Sequence, residues 1–130
     1  MKKVSFDRVL QQFNNAHRRL REVLLQPTNE FMRDSAIQRF EFTFELFWKI
    51  LRLYALYDGI EVNSPRSSIR EGFRLHLFED EELFLAMLES RNMASHTYEE
   101  EIAEEIYQQL PQYAKAMENT ILRIQSILKN

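Results

Sequence analysis

The chain predicts an all-α fold, an antiparallel bundle of about five helices, and three observations carry that expectation. Glycine and proline number only two and three in 130 residues, whereas a sheet needs turn residues about every 8–12 positions. Apolar residues recur at spacings of three and four rather than two, which is the helical period. Stop and start signals such as Asp58-Gly59 and Ser64-Pro65 divide the chain into helix-sized segments. A chain of this length buries roughly two-thirds of the surface it exposes when unfolded, so one domain over residues 1–130 is expected.

The first helix is expected to start at Ser5, a good N-cap, and to carry Phe6, Val9, Leu10, Phe13, Leu20, Val23 and Leu24 on one stripe until Pro27 ends it. His17, Arg18, Arg19 and Arg21 lie on its back, as a solvated face or a phosphate-contacting patch. A second helix, capped by Asp34, should run to about Tyr57. Ala36, Ile37, Phe40, Phe42, Phe44, Phe47, Trp48, Ile50 and Leu51 spread over most of its circumference, so it must be surrounded by its own chain or by a partner subunit. Its narrow polar stripe is Gln38, Glu41, Glu45, Lys49 and Arg52. The stripe is either a water-facing strip held by Glu45 and Lys49, or it turns Glu41 or Glu45 inward to hold Arg91.

Ser64-Pro65 supplies the N-cap and first-turn proline of a third helix, with Ile69 and Phe73 inside and His76 at its end. Arg66, Arg70 and Arg74 stack outside it at four-residue intervals, as a solvated face or as contacts to a nucleic acid or acidic partner. A fourth helix follows Glu79-Asp80-Glu81-Glu82 and carries Leu83, Phe84, Met87 and Leu88. The fifth opens among Glu99, Glu100 and Glu101 and bears a long apolar face including Ile102, Ile106, Leu110, Tyr113, Met117, Ile121, Leu122 and Ile124. Both acidic clusters suit helix N-termini, and Pro111 requires a kink or a two-piece helix.

Composition narrows the function classes. The absence of cysteine removes disulfides, thiolate chemistry and cysteine zinc sites. His17, His76 and His96 are isolated, without His-x-x-x-His or Asp-x-Asp patterns, so no metal and no cofactor are expected. No segment approaches the ~18 apolar residues of a membrane span and no signal peptide is evident, which makes a soluble, unprocessed, cytoplasmic protein the expectation. A formal charge of −3 argues against a general nucleic-acid coat.

The most informative segment is Arg91-Asn92-Met93-Ala94-Ser95-His96-Thr97-Tyr98. Arg91 closes the fourth helix, while Thr97-Tyr98-Glu99-Glu100 has the form of a capping box opening the fifth. On one straight helix Arg91 and His96 would point about 140° apart; across a junction they can converge. An imidazole just outside a helix N-terminus is suited to accept a proton, and an arginine fork binds phosphate in two-pronged fashion. A base plus a phosphate clamp is the minimum for RNA cleavage without metal, with Asn92 donating to the same phosphate or orienting His96. The competing reading has Arg91 paired with a carboxylate, His96 plugging the bundle end and Tyr98 packed.

Taken in order, Arg39-Phe40-Glu41-Phe42, Glu45-Leu46-Phe47-Trp48-Lys49, Ser64-Pro65-Arg66, Ile69-Arg70-Glu71 and Arg91-Asn92 through Ser95-His96-Thr97-Tyr98-Glu99-Glu100 resemble the HEPN superfamily. More narrowly, they resemble the branch of nucleotidyltransferase substrate-binding proteins, over nearly the whole chain. The resemblance implies a bundle of about five helices, a homodimer with Arg91 and His96 near its groove, and a minimal nucleotidyltransferase (MNT) partner. It leaves two functions open. One is the toxin of a HEPN/MNT toxin-antitoxin pair, a ribonuclease using Arg91 and His96; the other is a non-catalytic subunit that presents substrate to the nucleotidyltransferase. It also implies Tyr98 as a site of adenylylation by the partner. RNA binding would then rest on Arg66, Arg70 and Arg74 or on the Arg18 to Arg21 patch.

Overall fold

The computed structural model describes residues 3–129 and is helical throughout, with no strand among the described residues. Its elements are α1 (Lys3–Leu24), α2 (Glu30–Tyr57), α3 (Pro65–Arg74), α4 (Glu81–Met93), a single 3₁₀ turn (Ala94–His96) and α5 (Glu100–Lys129). The short connections turn α2 back along α1 and α5 back along α4. Thus Phe13 meets Phe47 and the Arg19 carbonyl meets Arg39, while Ser90 reaches Tyr113.

α2 is the central rod, touching every other helix. Phe40, Phe44, Phe47, Ile50 and Leu51 are buried on it, which explains why apolar residues run round most of its circumference. Its start is not Asp34. Asn29 caps it, the side chain accepting the Met32 N–H at 2.8 Å, and Asp34 lies a turn inside, paired with Arg33. Its end is the expected one: Gly59, at φ +85°, lets the Gly59 and Ile60 N–H groups bond back to the carbonyls of Leu56 and Ala55.

α3 begins as expected at Ser64, whose hydroxyl accepts from the Ser67 N–H while the Ser67 hydroxyl accepts from the Ser64 N–H. It closes in the same geometry as α2 but with His76 in the left-handed position, φ +61°, its carbonyl accepting from Arg123 Nε at 2.7 Å. Gly72 faces the Phe78 ring so closely that a Cβ there would lie 2.9 Å from it. Asp80 caps α4 through the Leu83 N–H.

Several expectations are corrected. α1 starts at Lys3, so Ser5 lies inside the helix rather than capping it. His17 is buried, stacked on Phe13 and bonded through Nε2 to the Ala114 carbonyl at 2.8 Å, so it does not belong to a solvated face. Phe73 and Leu122, expected on inward faces, are 39 % and 57 % exposed. α5 runs through Pro111 as one helix, which rules out the two-piece form. No helix among the described residues is long and apolar enough to cross a membrane.

Candidate functional site

The junction of α4 and α5 is built from both ends. Arg91 stands in the last turn of α4 and reaches across to α2, where its guanidinium carbon lies 5.9 Å from the Phe44 ring centre and Nη1 lies 4.0 Å from Glu45 Oε2. The ion pair of Glu45 is therefore with Arg91 and not with Lys49. Glu41 belongs to the same surroundings: burial raises its carboxyl above the ordinary glutamate range, and the Arg91 charge opposes that shift. Of the two stripe carboxylates, Glu45 is the one within ion-pair distance of the arginine, as the second reading of the stripe allows.

Arg91 is poorly satisfied. At 4.0 Å its contact to Glu45 is too long for a hydrogen bond, and its Nε is buried without a partner among the described residues. The side chain is 30 % exposed. A planar cation stacked on an aromatic face, with donors not taken up by the protein, can bind an oxyanion. Asn92, beside it, faces solvent.

After Met93 the chain tightens into the 3₁₀ turn, burying Ala94 and leaving Ser95 and His96 exposed. The expected capping box does not form. Thr97 Oγ1 donates back to the Ala94 carbonyl at 3.1 Å, the Glu99 N–H donates to the His96 carbonyl, and α5 starts only at Glu100. The 3₁₀ turn takes up the Thr97 hydroxyl before it can reach forward.

His96 and Tyr98 form a pair, with Nδ1 3.3 Å from the tyrosine oxygen and the rings edge to face at 5.9 Å. When Nδ1–H donates to the Tyr98 oxygen, the lone pair stands on Nε2, the tautomer that can take a proton from a substrate hydroxyl. Tyr98 is 78 % exposed and His96 is exposed as well, so Tyr98 is not packed and His96 does not plug the bundle end.

Arg66, Arg70 and Arg74 are all exposed on α3. Arg74 is tied to Glu71, and among the described residues no hydrogen bond or ion pair links the three to Arg91 or His96. On α1, Arg21 pairs with Glu118 at 3.3 Å, and Arg18 and Arg19 face solvent. No group of three His, Asp or Glu side chains among the described residues stands close enough to share a metal ion.

One residue escaped the sequence reading. Arg33 is buried at the start of α2 and grips Glu100, the first residue of α5, with two nitrogens at 2.7 and 3.3 Å. The partners are 67 positions apart, and no local pattern marks either.

Known proteins share this architecture. A crystal structure of a protein from Thermus thermophilus superposes with a TM-score of 0.82 at 38 % identity, covering 85 % of this chain and 97 % of that one. HI0074 from Haemophilus influenzae, described as having the fold of a substrate binding domain of a nucleotidyltransferase, superposes with a TM-score of 0.79 at 24 % identity, over 89 % and 98 % of the two chains. A probable ribonuclease, HepT, from Haemophilus influenzae Rd is 32 % identical over 83 residues, which are 60 % of this chain and 57 % of that protein. The model of the family "Nucleotidyltransferase substrate binding protein like" matches residues 5–126, nearly the whole helical bundle with its α4–α5 junction, and the chain therefore belongs to that family.

Proposed function

We propose that this chain is the HEPN toxin of a two-component HEPN/MNT system, a metal-independent endoribonuclease in which His96 is the general base and Arg91 the phosphate clamp. The observation that carries this reading is the state of Arg91: its guanidinium is placed by Phe44 and Glu45, yet it makes no hydrogen bond among the described residues. An arginine serving only the fold would have its donors paired. The likeness to a probable ribonuclease points the same way.

In the proposed reaction His96 Nε2 takes the proton of a ribose 2′-hydroxyl and the 2′-oxygen attacks the adjacent phosphorus. The bond from phosphorus to the 5′-oxygen breaks, the leaving oxygen takes a proton from water, the resulting hydroxide is neutralised by the His96 imidazolium, and a cyclic phosphate remains. Arg91, assisted by Asn92, neutralises the charge that builds on the non-bridging oxygens. Glu41 and Glu45 hold the guanidinium toward the site, and Arg66, Arg70 and Arg74 are candidates for guiding the RNA backbone.

Two partners complete the reading. A second copy covers the exposed strip of α2, where Phe42 stands three residues before Glu45, so that Arg91 and His96 line a dimer groove. An MNT enzyme adenylylates Tyr98, which turns the oxygen that orients His96 into a phosphoester oxygen and sets a bulky anion beside the phosphate site. The purified chain, given an RNA oligonucleotide with EDTA present, should yield products ending in a cyclic phosphate and leave a DNA oligonucleotide intact.

The description of the family, and that of the HI0074 fold, favour a second reading: a non-catalytic subunit that presents substrate to a nucleotidyltransferase. RNA left whole by the unmodified chain, together with a rise in the partner enzyme's activity when this chain is added, selects it.

A further inference from the structure

We propose that Arg33 is the positioning residue of the junction, setting the geometry of the His96–Tyr98 pair through Glu100. Its side chain, 8 % exposed, enters between the starts of α2 and α5. Besides the two bonds to Glu100, Nε donates to Asp34 Oδ1 at 3.3 Å and Nη1 lies 3.9 Å from Glu104 Oε2. A two-pronged contact between guanidinium and carboxylate fixes orientation as well as distance. A buried guanidinium is costly unless it is paired, and here three carboxylates surround it.

Glu100 stands two residues after Tyr98 and four after His96. Its own side chain is 69 % exposed, so its position comes from the guanidinium rather than from packing. The segment before it has few restraints of its own. Between Met93 and Glu100 only Ala94 is buried; the Thr97 hydroxyl and the Glu99 N–H bond within the turn, and only the Glu99 carbonyl, accepting from the Ala103 N–H, ties the segment to α5. The orientation of His96 and Tyr98 is thus inherited from the two ends, α4 on one side and the clasped first residue of α5 on the other. Farther along α5 a hydrogen bond between the Thr28 and Tyr107 hydroxyls, at 2.7 Å, anchors the helix independently. Loss of the clasp therefore loosens the chain ahead of Ala103, which is fully buried, and leaves the remainder of α5 docked.

The effect on cleavage rests on the ribonuclease reading, whereas the effect on the pair does not. The test compares the full chain with Arg33→Gln, Glu100→Gln and the double variant, reading the nuclear Overhauser cross-peak between the His96 and Tyr98 rings alongside thermal stability. Both single variants should lose the cross-peak while still folded, and the double should lose no more, because the two residues act as one unit. A role in stability alone would lower the melting temperature and leave the cross-peak intact. In the RNA assay kcat should fall roughly ten- to a hundredfold with KM little changed, the usual effect of misplacing a reacting group. A cross-peak of wild-type strength in Glu100→Gln overturns the proposal, and this exposed carboxylate can be changed even if Arg33→Gln does not fold. RNA left intact by the wild type would remove the ribonuclease reading, with the cross-peak still deciding the role of Arg33.

Discussion

The guanidinium of Arg91 rests over the ring of Phe44, carbon to ring centre 5.9 Å. Phe44 is fully buried and is also in aromatic contact with Phe40, at 5.9 Å. The platform of the candidate phosphate clamp is therefore part of the core, and site and fold share a residue.

Phe44→Ala should cost about 3–5 kcal/mol, the loss of a fully buried aromatic ring plus the cavity it leaves. Urea unfolding monitored by circular dichroism measures it. A cost below about 1 kcal/mol, the level of a surface substitution, would show that the ring is not the support described.

His96→Ala should lower RNA cleavage by roughly 10²–10⁴, the worth of a general base, with the unfolding midpoint unchanged because the imidazole is exposed. Arg91→Lys should also fail, since an ammonium keeps the charge but loses the planar fork. Cleavage by His96→Ala at the wild-type rate would point to a contaminating nuclease or another base.

Tyr98→Phe should abolish the mass increase of one or more AMP units that follows incubation with the nucleotidyltransferase partner and ATP. An adduct that persists on this variant places the modification elsewhere.

Two glutamates should leave opposite marks on the pH dependence of stability. Glu41 is held above the ordinary glutamate range by burial, against the pull of Arg91. Its contribution is full below the unfolded-state value and is lost as pH rises through the raised one, so Glu41→Gln should gain on the wild type as pH rises above the ordinary glutamate range. Glu100 is held below the ordinary range, first by the hydrogen bond from Arg33 and then by its charge. That contribution is present above the ordinary value and is lost as pH falls through the depressed one. Glu100→Gln should therefore be weaker than the wild type near neutrality and converge with it in acid. Urea midpoints across the pH range distinguish the two, and parallel curves for all three proteins would contradict both assignments.

The proposed dimer predicts twice the chain mass in light scattering at micromolar concentration. Phe42→Lys should return it to a monomer without loss of helicity, because Phe42 is already half exposed in the single chain.

Much of this molecule was decided within a few residues of chain. The Ser64-Pro65 start, the Asp58-Gly59 stop and the apolar period of each helix depend on contacts between positions no more than four or five apart, and all three were legible. So was the place of Arg91 in the last turn of α4, with His96 and Tyr98 in the break before α5. Tertiary structure decided the rest. Asn29 and Asp34 are both competent caps, and choosing between them needed the Arg33 clasp that continues the helix back past Asp34. His17 sits among arginines that face water, and only the Ala114 carbonyl, 97 positions away, draws it inside. Thr97 carries a capping signature that the 3₁₀ turn overrides. Glu45 has Lys49 one turn away, yet it faces Arg91 because α4 lies across that side of α2. A sequence specifies which faces of a helix are apolar and which are charged; which of them meets a neighbour, and through which side chain, depends on how the other helices lie against it.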